Sequence, residues 1–309
     1  MMDPSRLRTL STPLLDIGCF DLGEPVAPAV LLLHGWPDDA RTWSAIAPAL
    51  TDAGYRVLAP YLRGYGPTRF RDRGLPRSGQ LAALGQDVID LVDALGLDRV
   101  ALIGHDWGAR AAAIAAAELQ HTGRVTHLAM LSVGYGTNDP QQALSLRQVQ
   151  NYWYQWVMAL PRGLALVRDQ REAFTRHLWQ TWSPGWRFEE ADFARTAASF
   201  DNPDWAEVVI HSYRHRWGLA EGDPRYAQLD ARLSPAPRIV VPALQLHGAA
   251  DACNDPATSA GKEALFSGPY RRVLLDGVGH FPQRELPAAV ARELLALLAT
   301  RCSDRRETL

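Results

Sequence analysis

The sequence has few cysteines and no long apolar run. Three cysteines among 309 residues, Cys19, Cys253 and Cys302, give neither a disulfide framework nor a metal-binding spacing. Because an odd and small number of cysteines suits a reducing compartment, we expect no disulfide and no metal site. No segment reaches the ~20 apolar residues that span a bilayer, and the N-terminus has no apolar stretch of signal-peptide length. A cytoplasmic protein without a membrane partner is therefore the expectation.

Charge of one sign is also lacking. The 32 lysines and arginines nearly balance the 34 acidic residues, which leaves a formal net charge of −2 and no basic footprint for nucleic acid. Lys262 is the single lysine, a bias that indicates a GC-rich coding genome rather than a binding function. No repeat or heptad pattern indicates an assembly. We therefore predict no nucleic-acid partner, and the oligomeric state stays open.

Strand and helix patterns alternate along the chain. Residues 30–33 and 100–103 are continuous apolar runs, which are typical of buried parallel strands. Residues 81–96 place their leucines and valines on one helical face. Such alternation predicts an α/β protein with a mostly parallel, doubly wound sheet. Residues 8–20 are expected to form an antiparallel edge hairpin, and residues 287–300 the last helix.

A carboxylate stands in the most informative motif. The sequence GHDWG at residues 104–108 joins a short apolar run to an alanine-rich helix without a pause, which predicts a nucleophile elbow carrying Asp106. A serine that attacked a saturated carbon would leave an inert ether. A carboxylate gives an alkyl ester, which water can hydrolyse at the aspartyl carbonyl. The expected substrate is therefore an epoxide or an alkyl halide, and no cofactor is required.

An acid and a base follow in the chain, each on a loop after an apolar strand. Because the carboxyl ends of parallel strands meet at one edge of a sheet, Asp251 and His280 are expected to lie near Asp106. An imidazole can deprotonate water near neutral pH, and a carboxylate holds it in one tautomer. We therefore predict His280 as general base and Asp251 as its orienting acid. Asp255, and Asp139 after the preceding strand, are alternatives for the acid.

Two backbone N–H groups should stabilise the charge on the ester carbonyl as water attacks it. One is expected from Trp107, directly after the nucleophile. The other is expected from Trp36, in the sharp turn HGWPD at residues 34–38. Pro37 in this turn is a candidate for a cis proline.

The chain resembles the α/β-hydrolase family, and more narrowly its epoxide hydrolase and haloalkane dehalogenase branch. The motifs that carry the resemblance are HGWPD at 34–38, GHDWG at 104–108, HGAAD at 247–251 and GVGHFP at 277–282. They occur in the family's order and cover nearly the whole chain. The resemblance implies an α/β-hydrolase core formed by residues 1–135 and 237–309, with a helical cap inserted at residues 136–236.

The predicted cap is rich in tryptophan. Seven of the ten tryptophans lie in it, and some are expected to line an apolar pocket: Trp153, Trp156, Trp179, Trp182, Trp186, Trp205 and Trp217. The residues predicted to line the substrate pocket are Trp153, Gln155, Trp156 and Phe281.

Epoxide opening expels a basic alkoxide, which must receive a proton from the side opposite Asp106. A tyrosine O–H, with an ordinary pKa of roughly 10, can supply it. Tyr154 and Tyr213 resemble the two cap tyrosines of epoxide hydrolases. Tyr152 competes with Tyr154, but residues two apart on a helix do not face the same side.

Two other functions are weighed against epoxide hydrolysis. A halide leaves as a weak base and needs N–H donors rather than a proton, so the cap tryptophans with His177 and His211 favour a haloalkane or haloacid dehalogenase. A non-catalytic ligand-binding protein on the same fold is the third reading. The complete set of nucleophile, base and acid argues against that one. The preferred prediction is an epoxide hydrolase acting on a small hydrophobic epoxide and water.

Overall fold

The fold is built on one sheet of nine strands in the computed structural model, which describes residues 2–137 and 143–300. The strands are β1 (Leu7–Ser11), β2 (Leu15–Leu22), β3 (Ala29–Leu33), β4 (Arg56–Pro60), β5 (Arg69–Phe70), β6 (Val100–His105), β7 (Val125–Leu131), β8 (Ala243–Gly248) and β9 (Tyr270–Leu275). Their spatial order is β1-β2-β4-β3-β6-β7-β8-β9, with β5 beside β2. From β4 to β9 along this order neighbouring strands run parallel, whereas β1, β4 and β5 pair with β2 antiparallel.

Helices connect most of the strands. Their bounds are α1 (Ala47–Asp52), α2 (Leu81–Ala94), α3 (Trp107–Leu119), α4 (Leu146–Asn151), α5 (Trp153–Ala159), α6 (Pro161–Asp169), α7 (Arg171–Trp182), α8 (Glu190–Ala197), α9 (Trp205–Arg216), α10 (Ala227–Arg232), α11 (Pro282–Glu285) and α12 (Pro287–Leu298). Short 3-10 turns occur between several of them.

The predicted mostly parallel sheet is confirmed. Strands β3 and β6 lie near its centre and are buried along their whole length, which explains their continuous apolar sequences. The alanine-rich helix α3 packs on β3, β6 and β7, where its small side chains allow close approach. Successive strands are added on opposite sides of β3, so the sheet order reverses there. Open α/β sheets bind ligands at the carboxyl ends of the strands near such a reversal.

Several predicted elements are found with small shifts. The antiparallel edge hairpin is formed by β1 and β2. The helix predicted at 81–96 spans Leu81–Ala94, and the last helix spans Pro287–Leu298. The strand expected from residue 239 begins only at Ala243, because Pro242 has no N–H to donate to a ladder.

Helices α4 to α10 are inserted between two neighbouring strands. Strands β7 and β8 are adjacent and parallel in the sheet, yet these helices separate them in the sequence. We refer to the described residues 143–236 as the helical insertion. Its predicted limits as a cap domain stay a prediction. No helix within residues 2–137 and 143–300 is long and apolar enough to cross a membrane.

Candidate active site

Asp106 occupies a strained turn between β6 and α3. Its backbone has φ 48° and ψ −113°, a conformation that residues other than glycine rarely adopt. The two flanking glycines allow this turn. A Cβ at Gly104 would lie 2.1 Å from the Gly108 carbonyl oxygen, and one at Gly108 would lie 2.2 Å from the Leu33 carbonyl oxygen. The turn therefore has the geometry expected of an elbow and presents a carboxylate.

The loop after β3 meets this carboxylate. The Trp36 N–H donates a hydrogen bond of 3.1 Å to Asp106 Oδ1. A Cβ at Gly35 would lie 2.5 Å from Asp106 Cβ, so only glycine allows the loop to approach so closely. Trp107 is the first residue of α3, where a backbone N–H has no acceptor within its own helix. The Trp36–Pro37 peptide bond is cis.

His280 and Asp251 form a buried hydrogen-bonded pair beside the elbow. His280 Nδ1 lies 2.9 Å from Asp251 Oδ2, while Asp251 Oδ1 accepts the N–H groups of Cys253 at 2.8 Å and Asn254 at 3.0 Å. His280 Nε2 lies 3.9 Å from Asp106 Oδ2. This separation is too long for a direct hydrogen bond, but it suits a water molecule held between the two atoms.

The alternative acids do not replace Asp251. Asp255 accepts the Ala257 N–H at 3.0 Å and pairs with Arg147 at 3.3 Å, so its carboxylate is engaged away from His280. Asp139 lies outside the described residues.

His247 is a contact of the acid that sequence reasoning did not identify. Its Nε2 lies 3.2 Å from Asp251 Oδ2, and its Nδ1 lies 2.9 Å from Ser259 Oγ. The available signal was its place at the end of β8 in the motif HGAAD, four residues before the acid.

The two members of the pair shift each other's pKa. Burial opposes the charge on Asp251, but the charge of His280 and hydrogen bonds from His247 and His280 outweigh it and lower the pKa of Asp251. Burial likewise opposes protonation of His280. The charge and hydrogen bond of Asp251, with the charge of Asp106, outweigh burial and raise the pKa of His280 above its ordinary value. Asp251 is therefore ionised, and His280 holds a proton to higher pH than a free imidazole.

A pH dependence follows from this arrangement. Only a neutral imidazole accepts a proton from water, so the predicted role of His280 as general base implies that hydrolysis of an Asp106 ester slows as pH falls through the pKa of His280. An Asp106 ester would be uncharged, which would remove one of the contributions that raise this pKa. The acid limb of the hydrolysis rate should therefore lie at lower pH than the His280 titration in the free enzyme. Single-turnover hydrolysis and NMR titration measure the two values.

The variant Asp106→Asn supplies the control, since it removes the same charge without any substrate. It should lower the pKa of His280 in the free protein. A hydrolysis limb at or above the free-enzyme pKa would contradict the expectation.

Two buried tyrosines pack against Trp36, the residue whose N–H binds Asp106. The ring of Tyr154 stacks on Trp36 with centroids 5.5 Å apart, and the ring of Tyr213 lies 5.2 Å from Trp36. The phenol oxygen of Tyr213 accepts a hydrogen bond of 3.2 Å from Trp107 Nε1. Burial raises the pKa of both phenols well above the ordinary tyrosine value. Both side chains therefore keep a proton to donate.

Tyr152 has another partner. Its O–H donates to Asn254 Oδ1 at 3.0 Å, on the loop that follows the acid. The structure thus separates the two tyrosines of this helix region, with Tyr154 at Trp36 and Tyr152 at Asn254.

The four predicted pocket residues divide into two groups. Phe281 is buried with its ring 5.1 Å from that of His280, and Gln155 is buried against Tyr154. The structure does not bring Trp153 and Trp156 to the elbow. Trp153 is 37% exposed, and Trp156 donates its indole N–H to the Val149 carbonyl. Their place in the pocket stays a prediction, since the buried face of α5 carries Tyr154, Gln155 and Met158.

The helical insertion also binds the two loops that carry Asp251 and His280. The Trp182 carbonyl accepts the N–H groups of both Ala252 and His280 at 3.2 Å. The His280 N–H also donates to Ser183 Oγ at 2.8 Å, and the ring of Trp182 lies 5.0 Å from that of His280. The sequence marked Trp182 only as one of many cap tryptophans. No local signal distinguished these contacts.

Comparison with known proteins agrees with this geometry. The family model of the alpha/beta hydrolase fold matches residues 28–285. Epoxide hydrolase A of Mycobacterium tuberculosis is 33% identical over 304 residues, which cover 90% of this chain and 92% of the relative. An epoxide hydrolase of Caballeronia sordidicola is 30% identical over 88% of both chains. The crystal structure of a candidate epoxide hydrolase from Klebsiella pneumoniae superposes with a TM-score of 0.89 and 39% identity, over 95% of this chain and 97% of the other.

The chain therefore belongs to the α/β-hydrolase family, within its epoxide hydrolases.

Proposed function

We propose that the protein opens a small hydrophobic epoxide to a vicinal diol through an ester on Asp106. The observation that carries this proposal is a carboxylate at the elbow, bound through Oδ1 by the Trp36 N–H and facing His280 through Oδ2. A carboxylate with one oxygen held and the other free can attack a saturated carbon, and its ester can be hydrolysed afterwards.

The first step forms the ester. Asp106 Oδ2 attacks an epoxide carbon, and the carbon–oxygen bond of the ring breaks. The departing oxygen takes the proton of Tyr154 or Tyr213, which leaves a hydroxyalkyl ester and a phenolate. Since the phenols have raised pKa values, they are fully protonated before the reaction.

The second step cleaves the ester. His280, oriented by Asp251, takes a proton from water, and the hydroxide attacks the carbonyl carbon of Asp106. Negative charge develops on Oδ1, which the N–H groups of Trp36 and Trp107 stabilise. The diol leaves with the remaining proton of that water. The imidazolium proton then restores the phenol, so water and epoxide are consumed in equal amounts.

Dehalogenation through the same carboxylate is the second candidate. The observation that favours it is that Trp36 Nε1 and Trp182 Nε1 are buried and have no hydrogen-bond partner within the described residues. Indole N–H groups can bind a leaving halide. The two histidines that favoured dehalogenation in the sequence have other contacts. His211 accepts a hydrogen bond from the Gly79 N–H, and His177 lies against the exposed Trp153.

A parallel assay separates the two reactions. The purified protein is given an aryl epoxide, a terminal alkyl epoxide, a bromoalkane and fluoroacetate, and diol and halide ion are quantified. We expect diol from the epoxides and no halide, with Asp106→Asn inactive on all four. Halide without diol would overturn the epoxide proposal. Activity retained by Asp106→Asn would show that Asp106 is not the nucleophile of either reaction.

A cytoplasmic location of the protein stays a prediction from the sequence.

A further inference from the structure

A short chain of hydrogen bonds ends at one of the two phenols. Trp217 Nε1 donates to Gln155 Oε1 at 3.0 Å, and Gln155 Nε2 donates to the phenol oxygen of Tyr154 at 2.9 Å. Gln155 is 1% exposed and Tyr154 is 2% exposed. The amide is thus fixed at both ends inside the helical insertion.

The direction of each hydrogen bond follows from the donors. An indole nitrogen only donates, so the oxygen of the Gln155 amide must face Trp217. The amide nitrogen then faces Tyr154 and also only donates, so the phenol oxygen must accept. The phenol proton therefore points away from Gln155. Another neighbour of this phenol, Cys253 Sγ at 3.5 Å, is a weak donor as well as a weak acceptor, so it holds the phenol proton only weakly.

The phenol oxygen of Tyr213 also accepts a hydrogen bond, in this case directly from an indole N–H. The indole of Trp107 donates directly to its phenol oxygen at 3.2 Å. Both phenol oxygens are therefore bound by an N–H donor, although the two donors come from different parts of the chain. A hydrogen bond donated to a phenol oxygen favours the phenolate that forms when its proton leaves.

We propose that Gln155, held by Trp217, is a positioning residue that aims the Tyr154 proton at the departing epoxide oxygen and stabilises the resulting phenolate. The inference rests on the proposed role of Tyr154 in epoxide opening. It gives Gln155 a function beyond the lining of a pocket.

The variant Gln155→Glu tests it, because a carboxylate of the same shape accepts the Tyr154 proton instead of donating to the phenol. The rate of ester formation, measured by stopped-flow tryptophan fluorescence, should fall about ten- to hundredfold. Gln155→Met removes the donor without adding an acceptor, so it should slow ester formation less than Gln155→Glu does. In a Tyr154→Phe background Gln155→Glu should cause no further loss. Gln120→Glu adds the same carboxylate to a buried glutamine that bonds the Arg238 carbonyl and the Val240 N–H beyond the far end of α3, and should leave ester formation unchanged.

The dependence on the leaving group separates positioning from a structural role. The loss in Gln155→Glu should be larger with ethyl-oxirane, whose alkoxide is strongly basic, than with trifluoromethyl-oxirane. Trp217→Phe frees the amide to rotate and should show a smaller loss with the same dependence, a second measurement if Gln155→Glu does not fold. Equal losses with both epoxides, or unchanged rates in the variants of Gln155 and Trp217, would overturn the inference. If Tyr154→Phe itself leaves ester formation unchanged, the proposed role of Tyr154 fails instead.

Discussion

Replacing His280 by glutamine is expected to trap a covalent adduct on Asp106. Nothing in the first step uses His280, so the ester should still form, whereas its hydrolysis loses the base that activates water. Removal of a general base costs about a hundred- to ten-thousandfold in rate. Intact-mass spectra under excess epoxide should therefore show nearly all the protein heavier by the full mass of the epoxide, because ring opening expels no fragment. A bromoalkane would add only its alkyl group.

Two variants control this experiment. Asp106→Asn combined with His280→Gln should carry no adduct, which places the ester on the nucleophile. His121→Gln removes an exposed imidazole and should turn over normally without accumulation. A rapid loss of turnover in His280→Gln with unmodified protein would count against the two-step scheme.

The double variant Tyr154→Phe and Tyr213→Phe is expected to lose epoxide opening almost completely. An unprotonated alkoxide is a poor leaving group, and either phenol can serve when the other is absent. Each single variant should therefore lose less than the pair, for which we expect a fall in ester formation of about a hundred- to ten-thousandfold. The rate of the first turnover, with protein in excess over epoxide, measures this step.

Tyr152→Phe is the matched control. Tyr152 is buried in the same helical insertion, but its O–H is bonded to Asn254 rather than directed at the elbow. Its variant should open epoxides at the normal rate. Thermal unfolding should show that the double variant is folded, since Phe keeps both rings against Trp36. Unchanged ester formation in that variant would remove the phenols from the reaction.

The sequence predicted the fold and the geometry of the elbow because their signals are local. Asp106 and its glycines are consecutive with a buried strand and a helix, and His280 and Asp251 each follow a strand by a few residues. Parallel topology then brings these loops to one edge of the sheet without any knowledge of side-chain packing. The choice of Asp251 over Asp255 followed from distance to the strand end, and the hydrogen bond to His280 agrees with it.

The helical insertion was less accessible to such reasoning. Trp153 and Trp156 were predicted in the pocket because large apolar residues are usually buried, yet the buried residues of α5 are Tyr154, Gln155 and Met158, and its contacts with α6 and α9 decide which face is covered. The link between Trp217 and Gln155 joins residues far apart in sequence. No spacing in the chain indicates a contact of this kind.

The carbonyl of Trp182 ties the helical insertion to the loops that carry Asp251 and His280. Since this oxygen and Ser183 hold the backbone of His280, the end of α7 in the helical insertion fixes the position of the predicted general base. Replacement of the whole insertion would therefore be expected to disturb the position of His280 as well as the side chains around Trp36. A single side-chain change elsewhere in the insertion leaves the end of α7 in place and should not disturb His280.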